Sequence, residues 1–383
     1  MLESLLDKFN EKAAGATKEL RKSELKNILI LSLSMLRVQT VCLNKLKGAV
    51  GQITGKADTQ PASHYQRLVR IFRKHAFSRL WLDLLRFVFS LLRLKSEYLV
   101  LDGTSWKRGS RWHHYLTLSV VYQKVSIPIY WVNLQKHGIS NIEERIDLMR
   151  RVLRTFDLSG KTLLADREYI GIEWFKFLLA NDLDFIIRLK KNTYYQYIDA
   201  AAGKSAQQMI DKVKRSKVAN KSMRKAFNMQ GMSLYFVVCK NPDPDAKEDL
   251  IFLITNKDQC AAQIAVKYGI RWSIEHCFKQ LKSNGFDLEA MNVKGKFKQQ
   301  LLMAIVVFTY VLSILEGLKT YKKVHTKING EGKEYKAVSL FRHGCDYLVS
   351  RTASFERFIR YILRQFKQNK TKYLAPNPIL YSS

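Results

Sequence analysis

Tyr268, Arg271, Glu275 and Lys282 place a phenol, a guanidinium, a carboxylate and an ammonium within one short stretch. The run that carries them, YGIRWSIEHCFKQLK, has no Pro, and its apolar residues recur every three or four positions. That pattern predicts a helix with Gly269 as its weak point. Counting about 100° per residue from Tyr268, Arg271 falls near about 300°, Glu275 near about 340° and Lys282 near about 320°, so the four share a narrow stripe. Ile270, Ile274, Cys277, Phe278 and Leu281 lie elsewhere and are free to pack inward. Taken alone, the stripe admits a bland reading, a solvated face with an Arg–Glu pair at i, i+4.

Two upstream carboxylates stand at comparable places. The β-prone run Glu97 to Asp102 ends in Asp102, followed by an expected turn at Gly103-Thr104, and the strand-like KTLLA is followed by Asp166. Each has an ordinary explanation, Asp102 as a turn residue and Asp166 as a helix cap. As a set, carboxylates of this kind suit phosphoryl transfer. Two divalent ions about 3.5–4 Å apart activate the attacking oxygen, stabilise the leaving oxygen and neutralise charge between them. Mg²⁺ prefers hard oxygen ligands, so two or three Asp/Glu side chains suffice. The histidines form no metal site: His113-His114 diverge on a strand, and His276-Cys277 diverge on a helix.

The elements that must position these groups read as follows. Residues 1–94 are helical, with turn formers in GQITGKADTQPAS and Ser63 as a candidate N-cap. After the run at 97–102, Tyr115–Tyr122 and Val125–Leu134 predict two further strands of an antiparallel meander. Ser140 to Glu143 reads as a capping box that opens an amphipathic helix to about Phe156. A strand at 161–165, a helix at 173–179 and a strand at 185–189 follow. Residues 190–256 turn polar and basic, with strand-like runs at 232–239 and 249–255. Leu301 to Leu315 is apolar but shorter than the roughly 20 residues that cross a bilayer, so a buried core helix is expected. FERFIRYILRQFKQNK predicts a basic amphipathic last helix.

The spacing Y-(2)-R-(3)-E-(6)-K, with an aspartate on the first strand and another after the fourth, resembles the DDE transposases of bacterial insertion sequences, in the YREK-signature, insertion-sequence-four-like group. The resemblance covers roughly residues 97–315. It implies an α/β fold with a ribonuclease-H-like catalytic core at 95–189 and 257–317 and a β-rich insertion domain at 190–256. Residues 1–94 would form a helical DNA-binding domain and 318–383 a basic helical C-terminal region. It further implies cleavage at terminal inverted repeats and joining of 3′-hydroxyl ends to target DNA, with two Mg²⁺ ions per site and Mn²⁺ able to substitute. Asp102 would bridge the ions, Asp166 hold one and Glu275 the other. Arg271 and Lys282 would pair with phosphates beside the cut, Tyr268 would bond to or stack near the same strand end or else pack half-buried, and Arg167, in the D-R pair of ADREYIG, would meet either a phosphate or an internal ion partner. Glu168 reads as structural. The partners implied are double-stranded DNA at the element's ends and its target, and a second protomer in a paired-end complex. Relatives that cut through a hairpin stack a flipped base on a Trp of the insertion domain, whereas no Trp falls within 190–256 here. Tyr235 and Phe236 are the aromatic substitutes.

Composition agrees with a nucleic-acid partner. There are 65 Lys and Arg against 33 Asp and Glu, a net charge of +32, in a chain of 383 residues that is 47% hydrophobic. So large an excess repels itself unless a polyanion is at hand. Residues 1–95 hold 18 basic and 7 acidic residues, with Arg67, Arg70, Arg73 and Lys74 on one short helix. That suits DNA binding by a helix after a turn. Five scattered cysteines without a CxxC pair argue for a reducing compartment. With acidic residues interrupting the first turns and no membrane segment expected, the location read is cytoplasmic, at the bacterial nucleoid. Two other functions share these features: a catalytically inactive transposon-derived DNA-binding protein, and a ribonuclease-H-like nuclease without strand transfer.

Overall fold

The computed structural model describes residues 1–12, 20–75, 78–92, 96–242, 246–330, 332 and 334–370, side chains being described as far as Phe366. The chain forms two compact units. One gathers Met1–Leu94, Lys107–Ser110 and the described residues from Phe278 on; the other is built from Lys95–Trp106 and Arg111–Cys277. The ends of the expected helical region, at 93–94, and of the C-terminal region, beyond residue 370, lie outside the described residues.

The helical unit begins with α1 (Leu2–Lys12), α2 (Lys22–Val38), α3 (Leu43–Thr54), α4 (Pro61–Lys74) and α5 (Leu80–Leu91). α2 and α3 are separate helices because Gln39 adopts a left-handed conformation that ends α2. Helix α4 starts at Pro61, not after Ser63. Proline at the first turn has its φ preset for a helix and loses no hydrogen bond there.

The second unit is a mixed α/β body around one eight-stranded sheet. Its strands are β1 (Tyr98–Arg108), β2 (Arg111–Tyr122), β3 (Val125–Asn133), β4 (Thr162–Ala165), β5 (Asp184–Arg188), β6 (Ser222–Met229), β7 (Met232–Lys240) and β8 (Leu250–Thr255), in the order β3-β2-β1-β4-β5-β8-β7-β6. β1, β4 and β5 run parallel, and β2–β3, β5–β8, β7–β8 and β6–β7 pair antiparallel. The helices are α6 (Ile142–Leu153), α7 (Ile172–Ala180), α8 (Tyr195–Ala200), α9 (Ala206–Arg215), α10 (Ala261–Gly269) and α11 (Ser273–Leu281). β4 reads TLLA and is buried throughout, as a strand covered on both faces must be.

Three readings of this unit change. The first strand does not stop at Asp102 but continues to Arg108. The cap of α6 is Asn141 with Glu144, one residue later than expected, because the Ser140 hydroxyl accepts from Arg145 Nε at 3.0 Å. Residues 190–256, expected as a β-rich insertion, hold α8, α9 and a further strand, β6, and their three strands extend the central sheet beyond β5.

The remaining helices, α12 (Lys296–Thr320), α13 (Leu340–Arg351) and α14 (Phe355–Lys370), belong to the helical unit, with a small β9 (Thr326–Ile328) and β10 (Glu334–Lys336) hairpin between them. α12 is longer than the expected core helix and apolar enough to span a membrane, yet 89% of its most apolar window is buried in protein. It packs on α5 and α13 as a core helix. Phe87 meets Phe9, Phe308 and Phe366 at ring separations of 5.0, 6.1 and 5.3 Å. α12 and α13 approach so closely that a Cβ on Gly344 would lie 1.9 Å from the Ser313 carbonyl oxygen.

Candidate active site

Parallel pairing brings the two aspartates together. Leu101 of β1 stands in register with Ala165 of β4, so the next residues, Asp102 and Asp166, emerge side by side. The carboxyl ends of parallel strands are where open α/β sheets place their ligands. Asp102 Oδ1 accepts from the Gly103 N–H at 2.8 Å, and its side chain is 18% exposed. Burial raises its pKa to about 7; Arg271 and the Gly103 N–H oppose the rise, and Glu168 and Asp166 add to it. Asp166 Oδ1 is buried without a hydrogen-bond partner among the described residues.

Gly103 is a packing residue, not a turn. A Cβ there would stand 2.9 Å from His114 Cε1 and 3.5 Å from the Tyr169 hydroxyl. His114 is buried, with Nδ1 2.6 Å from Ser105 Oγ. Burial, and then Lys136, hold its pKa below the ordinary value. Tyr169 is wholly buried, under the Arg145 guanidinium at 5.0 Å from its ring, and burial with the charges of Asp102 and Glu168 pushes its pKa far up. Glu168 and Tyr169 thus share the electrostatic surroundings of Asp102. Glu168, read from the sequence as structural, lies in a turn: Asp166–Tyr169 follow β4, with Tyr169 N bonded to the Asp166 carbonyl at 3.0 Å. The only sequence signal for the group is its proximity to Asp166 in ADREYIG.

The segment at 268–282 is not one regular helix. α10 ends at Gly269, a tighter 3-10 turn spans Ile270–Trp272, and α11 resumes at Ser273. The solvated-face reading fails here, because Tyr268 is 1% and Arg271 4% exposed. The guanidinium ties two carboxylates together. Its Nη2 donates to Glu275 Oε1 at 2.7 Å and its Nη1 lies 3.7 Å from Asp102 Oδ2. Burial alone would lower the Arg271 pKa; Tyr268, Asp166, Asp102 and Glu275 outweigh it, and the group stays charged. The Tyr268 and Trp272 rings lie 5.7 and 6.0 Å from Arg271 Cζ. Burial pushes the Tyr268 hydroxyl to about 12. The Ser273 and Ser126 hydroxyls, 2.6 Å apart, anchor the start of α11 to β3.

The other expected contacts are placed differently. Glu275, half exposed, is turned to Arg271, and among the described residues no three Asp, Glu, His or Cys groups converge closely enough to hold one ion. Lys282 falls just past α11, in the helical unit, where it pairs with Glu289 at 2.9 Å. Arg167 takes the ion-pair alternative, with Glu248 at 2.8 Å. On α4, Arg67 donates to Asn27 at 2.8 Å and Lys74 pairs with Glu24 at 2.5 Å, while Arg70 and Arg73 are exposed. Phe236 is buried in the core and presents no face to a base, whereas Tyr235 is partly exposed under Arg224 at 4.7 Å.

The donors at 102, 166 and 275 are all hard oxygens, and two of them stand side by side, a buried Asp102 carboxylate and an Asp166 whose Oδ1 has no hydrogen-bond partner among the described residues. That chemistry fits Mg²⁺ or Mn²⁺. The family model of the transposase DDE domain matches residues 93–312. A sequence comparison with curated proteins finds no match. Among solved structures, the chain is similar to a piggyBac transposase in a cryo-EM synaptic complex with hairpin DNA. The identity is 12% and the TM-score 0.48, over 100% of this chain and 84% of that one. The matched family segment spans more than half of the sequence and contains Asp102, Asp166 and Glu275, so the chain belongs to the transposase DDE-domain family.

Proposed function

We propose that this transposase is of the YREK type, with a ribonuclease-H-like core, and that it cuts DNA at the terminal inverted repeats of an insertion sequence and joins the 3′-hydroxyl ends to target DNA. The observation that carries the reading is the register of β1 and β4, which sets Asp102 beside Asp166 while Arg271 links Asp102 to Glu275. Asp102 on the first strand and Asp166 after the fourth follow the order that the resemblance implies.

Asp102, Asp166 and Glu275 would hold the divalent cations, which supply an activated water and a stabilised leaving oxygen when bound. The chain's own residues set the ground for this. The Gly103 N–H holds the Asp102 Oδ1 oxygen, while His114 and Tyr169 pack against Gly103 and leave no room for a side chain there. Arg271 partly offsets the carboxylate charge, with one guanidinium in contact with both Asp102 and Glu275. A DNA phosphate entering beside Glu275 would find that guanidinium's planar fork, which matches phosphate geometry. Residues 1–94 would bind the ends, and two protomers would act in a paired-end complex in the bacterial cytoplasm.

The test is cleavage of a labelled duplex carrying the inverted repeat that flanks the coding sequence, in Mg²⁺, beside Asp102→Asn, Asp166→Asn and Glu275→Gln. Metal-dependent nicking lost in all three, with end binding retained, is expected. End binding without cleavage in either Mg²⁺ or Mn²⁺ would replace this reading with the inactive DNA-binding protein.

A further inference from the structure

The helical unit contains a cationic cavity of about 480 Å³ where the last turns of α12 and α13 meet α14 between Arg357 and Gln365. Lys319, Tyr347, Arg351, Arg357, Arg360 and Arg364 line it. The sole acid in the lining, Glu316, is already engaged by the Tyr361 hydroxyl at 2.8 Å and by Lys319 at 3.9 Å. Arg351 is steered by Tyr347, with Nη2 2.9 Å from its hydroxyl and Cζ 5.1 Å from its ring. Arg357, Arg360 and Arg364 recur at helical spacing on the exposed face of α14, while Phe358, Ile362 and Phe366 on the opposite face are buried.

Ordinary helix electrostatics accounts for only part of this. Lys319 and Arg351 stand in last turns, where a cation complements the helix dipole. Of the three α14 arginines, Arg357 stands in the first turn, where the dipole disfavours a cation, and Arg360 and Arg364 lie in the middle of the helix, where the dipole offers them nothing. Crowding four guanidiniums and an ammonium round one cavity adds repulsion. Burial also holds the Lys319 pKa below its ordinary value. An arrangement that costs free energy in the isolated protein becomes favourable when a polyanion enters. Guanidinium groups in particular suit phosphate, through two parallel hydrogen bonds.

We propose that this cavity is a phosphodiester-binding site through which the C-terminal helices grip the backbone of double-stranded DNA. The inference rests on the transposase reading for its choice of DNA, and it adds a contact surface distinct from α4 and from the carboxylates.

The test is binding of a fluorescent random-sequence duplex to the full chain in EDTA, followed by anisotropy across a salt series. Each phosphate contact contributes about 0.9 to the slope of log K against log salt. The Arg357→Gln/Arg360→Gln/Arg364→Gln protein is expected to lose about 2–3 in slope and at least about tenfold in affinity at low salt. Arg360→Gln alone should lose about 1 in slope, which keeps the test valid if the triple variant misfolds. An unchanged slope in a folded triple variant overturns the inference and leaves the transposase reading intact if end cleavage persists. An unchanged slope with altered sedimentation would assign the cavity to an acidic protein surface instead. Absence of any DNA binding by the wild-type chain would overturn both.

Discussion

Replacing Asp102 by Asn should make stability depend on pH in a way that isolates one carboxyl group. In the folded chain burial holds the Asp102 pKa at about 7, against an ordinary 3.8. A group whose folded pKa is raised contributes stability that is fully present below the unfolded pKa and lost as pH rises through the folded value. At about 1.4 kcal/mol per pH unit, the contribution amounts to about 4 kcal/mol between pH 4 and pH 7. Asn is nearly isosteric and cannot ionise. Below pH about 4 the stability difference between Asp102→Asn and wild type should be flat. From there to pH about 7 it should shift in favour of the variant by about 1.4 kcal/mol per pH unit, then level off. Titrating groups remote from Asp102 are common to the two proteins and cancel in the difference. Urea midpoints of both proteins, taken in EDTA from pH 4 to pH 8.5, measure it. A difference that stays constant over that range would refute the claim that Asp102 carries an uncompensated buried charge. With it would go the main physical reason for a cation to bind there.

The same charge predicts that Mg²⁺ stabilises the wild-type chain above pH 7, by about 2.7 kcal/mol at a hundred times its dissociation constant, and that Asp102→Asn and Asp166→Asn lose the effect; differential scanning fluorimetry with and without Mg²⁺ decides it. Arg271→Ala leaves Asp102 without its cation in a buried setting and should cost about 3–5 kcal/mol at pH 8 by urea denaturation. Arg271→Lys should recover little, because one ammonium cannot span Asp102 and Glu275 as the fork does. Gly344→Ala drives a Cβ into the Ser313 carbonyl and should lower stability by about 1–3 kcal/mol, or more if α12 and α13 cannot part; thermal melting shows it.

Much of the site could be read from the chain because its carboxylates follow elements with strong local signals. LVL before Asp102 and TLLA before Asp166 are apolar runs that only a covered strand accommodates, and both become strands. What failed did so where a tertiary contact overrode a local preference. Gly103-Thr104 has turn composition, yet the glycine is there because the His114 ring leaves no room for a Cβ, and the strand runs on. β6, with the sequence SMRKAFNM, alternates too weakly to be recognised, because most of its residues stay at least partly exposed beside β7. Glu168 reads as structural in the sequence, but β4 ends at Ala165, three residues before it, and the turn that follows brings its charge to bear on Asp102.

Arg271 shows the same limit at the level of chemistry. Its spacing from Glu275 is visible in the sequence, and spacing alone cannot distinguish a surface pair from a buried bridge. The 3-10 turn at Ile270–Trp272 makes the difference, since it carries the guanidinium inward against Asp102 while Glu275, on the resumed helix, stays half exposed. One buried cation therefore bridges a fixed carboxylate on the sheet and an accessible one on α11. Any ligand that neutralises Asp102 in its place frees the guanidinium and Glu275 together. The two events are coupled because they share a partner, and the coupling is reciprocal. Glu275→Gln should then leave Arg271 wholly to Asp102 and weaken Mg²⁺ binding beyond the loss of one ligand. Arg271→Gln, by removing the competitor, should tighten it in whatever fraction remains folded. Titrating Mn²⁺ by electron paramagnetic resonance, without DNA, reads both directly. Weaker metal binding in folded Arg271→Gln would mean that the arginine supports the ions instead of standing in for them.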